Sequence, residues 1–260
     1  MAIVAAAVIP HSPLILPSIA KEHDALFALT HHSLTEISEL LYASQPDLVV
    51  LLTPHSSDPI TTGTVVHVAE TYHGDLVSFG DFTTSCDVHG SPSAAHRLKM
   101  TAEREHFSLL LQTHDGLDYG TSIPFLTVLQ QLVNTPVLPI ICTQSDFSTS
   151  LQLGQLLYEQ YTAEHDRVVI LASSDLSRRK RKSSGNPDQP TSEEKLLSQA
   201  MLAVDPSVLA ATTPNTDTCG FAPIVTLLSA LQQLHPEPKI LSFQSPMGVG
   251  LLTAFFHCNG

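Results

Sequence analysis

Two stretches, Ile3-Val4-Ala5-Ala6-Ala7-Val8-Ile9-Pro10-His11 and Leu48-Val49-Val50-Leu51-Leu52-Thr53-Pro54-His55, decide the fold of this chain. Each is a short apolar run that closes on a Pro-His pair, and such runs predict strands covered on both faces. Open α/β sheets hold their ligands in loops at the carboxyl ends of parallel strands. Because neutral imidazole is the commonest metal ligand in proteins, His11 and His55 are candidates to share one ion. The alternative is that each imidazole only hydrogen-bonds its own turn.

The rest of the chain alternates helical and strand-like segments. A stripe of leucine and isoleucine predicts a helix over 22–43, and Thr191-Ser192-Glu193-Glu194 has the capping-box spacing that starts a helix running to 204. Further helices are predicted over 92–112, 123–133, 147–161 and 221–234, and further strands over 64–68, 137–142, 167–172, 239–244 and 249–256. This alternation predicts one α/β domain over residues 1–260, with three layers and a mostly parallel, mixed central sheet flanked by helices.

Composition narrows the class of protein. Hydrophobic residues make up 43% and charged residues 14% of the 260 positions, which is typical of a globular chain with a sizeable core. A net charge of −13 argues against nucleic acid or an acidic membrane as the main partner. No apolar run reaches the roughly 20 residues that span a bilayer, and no basic stretch precedes the first apolar run. We therefore expect a soluble, cytoplasmic protein.

Two further features of the sequence concern cysteines and basic residues. The four cysteines, Cys86, Cys142, Cys219 and Cys258, form no Cys-x-x-Cys pair, which argues against a zinc ribbon and a disulfide framework. The run from Arg178 to Lys182 holds five of the twelve basic residues. It is either a solvated loop or a cationic lid over a site for an anionic substrate.

The order of motifs resembles the class III extradiol ring-cleavage dioxygenases, the LigB-like superfamily that also contains Memo-like and radical-SAM-associated members. The resemblance runs nearly end to end and rests on segments 8–15, 52–56, 116–121, 172–177, 218–220 and 246–250. It implies that His11 and His55 are the two iron-ligating histidines. Two histidines and one anionic side chain, with open coordination positions, let substrate and O2 bind the same Fe(II). A structural zinc would instead need four closely held ligands.

The third ligand departs from the family pattern, because Thr218 stands where many members of the superfamily carry a glutamate. In Memo-like members the cysteine of the Cys-Gly pair lies at the metal site, so the resemblance makes Cys219 the preferred third ligand and Asp217 its substitute. A thiolate would favour Cu(I) or Zn over Fe(II).

The groups that handle protons also differ from the family pattern. Arg178 occupies the place of the acid/base histidine, and Tyr119 occupies the place of a second histidine in Asp118-Tyr119-Gly120. Arginine stays protonated, so it cannot act as a base, but it can hold an anionic group. Tyr119 could donate a proton, and His114 is close enough in sequence to serve as a replacement base.

These observations predict a non-haem metal enzyme, most simply with Fe(II), that oxidises a small aromatic or catechol-like substrate with O2. The alternative is a Memo-like metal-binding or interaction protein without ring-cleavage activity, which the loss of the base at Arg178 favours. A third option is a metal-dependent hydrolase, which needs a carboxylate near the ion. Asp175 either caps a turn or orients a ligand. Oligomerisation with further copies of the chain is left open.

Overall fold

A nine-stranded mixed sheet forms the centre of the computed structural model, which describes residues 3–57, 63–142, 146–178, 191–210 and 219–258. The strands of the described residues are β1 (Ile3–Ile9), β2 (Leu48–Thr53), β3 (Thr64–Val68), β4 (Thr71–Leu76), β5 (Asp81–His89), β6 (Leu109–Thr113), β7 (Val137–Ile141), β8 (Val168–Ser173), β9 (Ser177–Arg178), β10 (Glu237–Gln244) and β11 (Val249–His257). The α-helices are α1 (Pro17–Ala20), α2 (Ala28–Ala43), α3 (Pro92–Arg104), α4 (Tyr119–Val128), α5 (Phe147–Thr162), α6 (Ser192–Ala203) and α7 (Phe221–Leu231).

The strand order is β10-β11-β1-β8-β2-β7-β3-β6, with β9 pairing to β11. Strands β1, β8, β2 and β7 are parallel neighbours, while β11 runs antiparallel to β1 and β3 antiparallel to β7. Strands β4 and β5 form a separate antiparallel hairpin. The mixed, mostly parallel sheet confirms the predicted fold class.

Helices cover both faces of the sheet because the central strands are apolar at nearly every position. In β1, Ala6 and Val8 face one core layer with residues of α3, α5, α6 and α7. Ala5, Ala7 and Ile9 face the other layer, with residues of α2, α4 and the β4–β5 hairpin. Since both faces of β1 are buried, the strand reads as an uninterrupted hydrophobic run.

The predicted helix over 92–112 is wrong in its second half. Helix α3 ends at Arg104, and His106 adopts a left-handed φ of 55°, which a continuing helix cannot accommodate. Leu109–Thr113 is strand β6 and pairs in parallel with β3. The three consecutive leucines are compatible with a helix or a strand. Pairing with β3, rather than local propensity, therefore makes this segment a strand.

Other predicted boundaries shift at the ends of helices. Residues Lys21–Phe27 are 3-10 helix ahead of α2, and α4 begins at Tyr119 rather than at 123 because the Asp118 side chain caps it. The β4–β5 hairpin was not predicted, because polarity and burial do not match along β5: Asp81 is buried, whereas Phe82 is exposed. The capping box of α6 is confirmed: Thr191 Oγ1 accepts from the Glu194 amide, and the Glu194 carboxylate accepts from the Thr191 amide.

Several predictions concern the chain as a whole. All four cysteines are free thiols, as their spacing predicted. Among the helices that the structure describes, none has the length and apolarity needed to cross a membrane. The backbone of Arg178 pairs with Val249, whereas Arg179 to Lys182 lie outside the described residues, so the basic lid stays a prediction.

The contact between α5 and α7 yields a stability prediction at Gly154. A Cβ at this position would lie 2.5 Å from Ser229 Cβ and closer still to the Thr226 carbonyl oxygen. Gly154→Ala should therefore lower the free energy of unfolding by about 1–3 kcal/mol, as overpacked cores do. Urea denaturation measures the loss, with Ser148→Ala on the exposed side of α5 as the control. Equal stability of the two variants would contradict the tight helix contact.

Candidate metal centre

His11 and His55 meet at one edge of the sheet because of the strand order. They follow β1 and β2, and these strands lie on either side of β8 and parallel to it. In the ladder, Ile9 lies beside Ser173, and Leu52 lies beside Ala172. The carboxyl ends of the three strands are therefore level, and both loops start at the same edge.

Three ligand atoms converge at this edge. His11 Nε2 lies 3.2 Å from His55 Nε2 and 3.3 Å from Cys219 Sγ. The two imidazoles and the thiol place their ligand atoms within 4.8 Å of one another. His11 is fully buried, while His55 and Cys219 are partly exposed. The structure thus brings together three of the four predicted ligands, and Asp217 lies outside the described residues.

Gly220 explains how Cys219 reaches the two histidines. The glycine precedes α7, and a Cβ on it would overlap the side chain of Ser174 and lie 3.1 Å from the Ser174 Cα. A larger residue would push the start of α7 away from the end of β8. The Cys219 thiol also donates to the Asp175 carbonyl oxygen at 3.5 Å, which holds the sulfur near the strand end.

Ser173 fixes the tautomer of His11. Its hydroxyl donates to the Gly120 carbonyl oxygen at 2.5 Å and lies 2.8 Å from His11 Nδ1. A serine hydroxyl carries a single hydrogen, so the Ser173 oxygen must accept from a protonated Nδ1. Neutral His11 therefore presents the lone pair of Nε2 to His55 and Cys219. An orienting partner of this kind is typical of metal-ligating histidines.

Asp175 adds a buried carboxylate beside the ligand atoms. Its Oδ1 accepts from the His11 backbone amide at 3.1 Å, and its Oδ2 lies 3.8 Å from His11 Nε2. The side chain is 1% exposed. Since this contact joins the loops after two neighbouring strands, Asp175 orients a candidate ligand rather than only capping its own turn.

The donor set fits a metal cation. The Tyr119 hydroxyl lies 2.9 Å from His55 Nε2 and can donate to it. In that arrangement the lone pairs of two neutral imidazole nitrogens face each other at 3.2 Å, and a cation or a shared proton relieves their repulsion. Two imidazoles and a thiolate are ligands for Zn, copper and iron. The nearby Asp175 carboxylate further favours positive charge.

The other predicted residues lie at different distances from this centre. The Tyr119 ring packs 4.6 Å from the His55 ring and 5.5 Å from the His11 ring, so it borders the site. His114 instead lies in a neighbouring cluster, with its Nε2 2.7 Å from Ser57 Oγ and its ring 4.6 Å from that of His67. Its role as a base stays a prediction, as does that of Arg178, whose side chain is outside the described part of the chain.

Asp118 is a neighbour of the site that sequence reasoning missed as a titrating group. Burial raises the pKa of Asp118 to about 6, although hydrogen bonds from Thr121 and the backbone oppose the shift. One carboxylate oxygen accepts from the Thr121 amide and caps α4. The other is buried without a hydrogen-bond partner among the residues that the structure describes. The position of Asp118 just before a helix predicts that it caps the helix, but it does not predict that the carboxylate is buried.

Comparisons with known proteins agree with this architecture. The family model described as the catalytic LigB subunit of aromatic ring-opening dioxygenase matches residues 5–236. Protein CA_C1420 of Clostridium acetobutylicum is 21% identical over 267 aligned positions, which cover 93% of this chain and 55% of the relative. The chain therefore spans about half the length of this curated relative. The crystal structure of uncharacterized protein JW3007 from Escherichia coli K12 has a TM-score of 0.64 at 17% identity, covering 97% of this chain and 99% of that one, and so shares its fold.

The hydrogen bond between Ser173 and His11 can be tested by metal affinity. Ser173→Ala removes the acceptor that selects the Nδ1–H tautomer, so the affinity for Co(II) should fall by about 10- to 100-fold. The matched control is Ser33→Ala, because the buried Ser33 hydroxyl hydrogen-bonds the Thr30 carbonyl oxygen and the Ser242 hydroxyl instead of a candidate ligand. A spectroscopic Co(II) titration measures both variants. Equal losses would contradict a specific role for Ser173.

The raised pKa of Asp118 predicts a pH-dependent gain in stability for Asp118→Asn. The charged form is disfavoured in the folded state, so the carboxylate lowers stability at pH values above about 6 and has no such effect below about 4. Asparagine also caps helices. The variant should gain up to about 3 kcal/mol at pH 8, and the gain should vanish as the pH falls to about 4.

Asp146→Asn is the control, since Asp146 caps α5 in an exposed position and the hydrogen bond from the Thr149 backbone lowers its pKa. This variant should lose stability at neutral pH rather than gain it. Denaturant unfolding across the pH range measures both effects. A gain for Asp118→Asn that does not change with pH would contradict the burial of a charge.

Proposed function

Because the chain belongs to the LigB family of aromatic ring-opening dioxygenase subunits, we propose that it is a metal-dependent dioxygenase acting on a small, catechol-like aromatic substrate. The observation that carries the proposal is the convergence of His11 Nε2, His55 Nε2 and Cys219 Sγ at the carboxyl edge of the parallel strands. These residues would hold the metal ion, and the orienting contacts of Ser173 and Asp175 support that role.

The metal is proposed to be Fe(II), with copper or zinc as the candidates that a Cys219 thiolate favours. Bound Fe(II) would supply a place where a deprotonated substrate oxygen and O2 can react together. Two histidines and one anionic ligand leave coordination positions for both molecules.

Tyr119 is proposed to hold the substrate oxygen. Its hydroxyl lies 2.9 Å from the same His55 nitrogen that would bind the metal. Once that lone pair is engaged, the phenol hydrogen can donate to an oxygen of the substrate beside it. The phenol O–H makes this residue a hydrogen-bond donor.

The proposal is tested by anaerobic reconstitution with Fe(II), Cu(I) or Zn(II), followed by exposure to a panel of catechols in air. Yellow ring-opened products should form with one of these metals and be absent in His11→Ala and His55→Ala. His73→Ala is the matched control, because His73 pairs with Asp87 and its side chain is 62% exposed on the β4–β5 hairpin. That variant should keep the activity of the parent protein.

The same samples separate metal binding from catalysis. With Co(II), the parent should show a thiolate charge-transfer band that Cys219→Ala lacks. Tight metal binding without turnover on any catechol would support instead a Memo-like metal-binding protein. Unchanged metal affinity in His11→Ala and His55→Ala would overturn the site itself.

A further inference from the structure

An aromatic side chain on the β4–β5 hairpin extends the candidate metal centre towards solvent. Phe79 ends the short 3-10 turn Val77–Phe79 that joins the two strands, and its ring lies 5.3 Å from the Tyr119 ring at an interplanar angle of 75°. Tyr119 in turn contacts both candidate histidine ligands. A continuous series of rings thus leads from the hairpin turn to the ligand atoms.

We propose that Phe79 forms the aromatic wall of the substrate site and selects planar ring substrates by packing against them. The inference rests on the proposed function and adds a residue that determines substrate class. Phe79 is 37% exposed, so part of its ring is available for contact. Aromatic pairs prefer the edge-to-face and offset geometries that a ring entering beside Tyr119 could adopt.

The hairpin is fixed to the segment that carries Tyr119. The His73 amide donates to the Asp115 carbonyl oxygen at 2.7 Å, and the Leu117 amide donates to the His73 carbonyl oxygen at 2.8 Å. These bonds tie β4 to the residues just before α4. Phe79 and Tyr119 therefore keep their relative position, which a specificity wall requires.

The turn that presents Phe79 is also ordered by local contacts. Gly80 adopts a left-handed φ of 83°, a conformation that favours glycine. Asp81 Oδ1 accepts from the Thr83 amide, the Thr83 hydroxyl and the Thr84 amide. A preorganised side chain loses little conformational entropy when the substrate binds.

Phe82 provides a contrast on the same hairpin. Its side chain is 78% exposed, and it makes no aromatic ring contact among the described residues. If aromatic molecules bound non-specifically to exposed side chains of the hairpin, Phe82 would contribute as much as Phe79. Of these two side chains, Phe79 alone joins the series of rings that ends at the candidate metal centre, which points to a small substrate at the site rather than a protein partner on the hairpin.

The test compares two probes in the Fe(II)-loaded protein under anaerobic conditions. 4-Nitrocatechol offers two oxygens on an aromatic ring, whereas acetohydroxamate offers two oxygens without a ring. Phe79→Ala should weaken 4-nitrocatechol binding by about 3- to 10-fold and leave acetohydroxamate binding unchanged. Phe79→Leu should lie between, and Phe82→Ala should match the parent. The Co(II) spectrum should be the same in all variants.

The outcomes distinguish this inference from the proposed function. If the parent binds 4-nitrocatechol and Phe79→Ala binds it equally well, the inference is overturned while the proposed function stands. An equal loss of both probes would show that Phe79 acts on the metal centre instead of on the ring, and would also overturn the inference. A parent that binds neither probe would overturn the proposed function and, with it, this inference.

Discussion

The level ends of three parallel strands are the constraint on which the candidate metal centre depends. Hydrogen bonding of β8 to both β1 and β2 leaves the loops that carry His11, Asp175 and His55 beside one another. No long side chain or flexible loop is needed to bring the two imidazoles together. A shift of one residue in either ladder would turn alternate side chains to the opposite face and separate them. The buried apolar strands therefore position the polar site as well as stabilising the fold.

Burying an imidazole and a carboxylate at the strand ends requires hydrogen bonds that compensate for lost hydration. His11 shows how this is achieved, since Ser173 accepts from its Nδ1 and Asp175 accepts from its backbone amide. Ser173 in turn donates to the Gly120 carbonyl oxygen. This chain of bonds links β1, β8 and the start of α4. The ligand orientation and the position of Tyr119 are therefore coupled through the same serine.

The sequence predicts the candidate ligands better than the groups that orient them. His11 and His55 follow from apolar runs that end in Pro-His, because strand ends are visible as composition. Cys219 follows from family resemblance, and its approach depends on Gly220 packing against Ser174. The role of Ser173 could not be predicted, because it requires the register that places it beside Ile9.

The same distinction holds for the fold. The central strands and the capping box of α6 are predicted correctly because each depends on a local pattern. Strand β6 is missed because its leucines suit a helix as well, and only pairing with β3 distinguishes the two. The β4–β5 hairpin is missed because burial does not follow side-chain polarity along β5, where Asp81 is buried and Phe82 is exposed. Phe79 could therefore not be placed near Tyr119 before the hairpin was known.

Under the proposed function, the exchange of two family histidines for Tyr119 and Arg178 changes the proton chemistry that is expected. Imidazole can both give and accept a proton near neutral pH, whereas phenol and guanidinium act there as hydrogen-bond donors. Hydrogen-bond donors at these two positions would stabilise a substrate that reaches the metal as an anion better than they would deprotonate a neutral one. Electron-poor aromatic rings carry the more acidic hydroxyl groups. Under the proposed function, the candidate ligands and the altered donors are therefore compatible with each other if the hydroxyl group of the substrate is itself acidic.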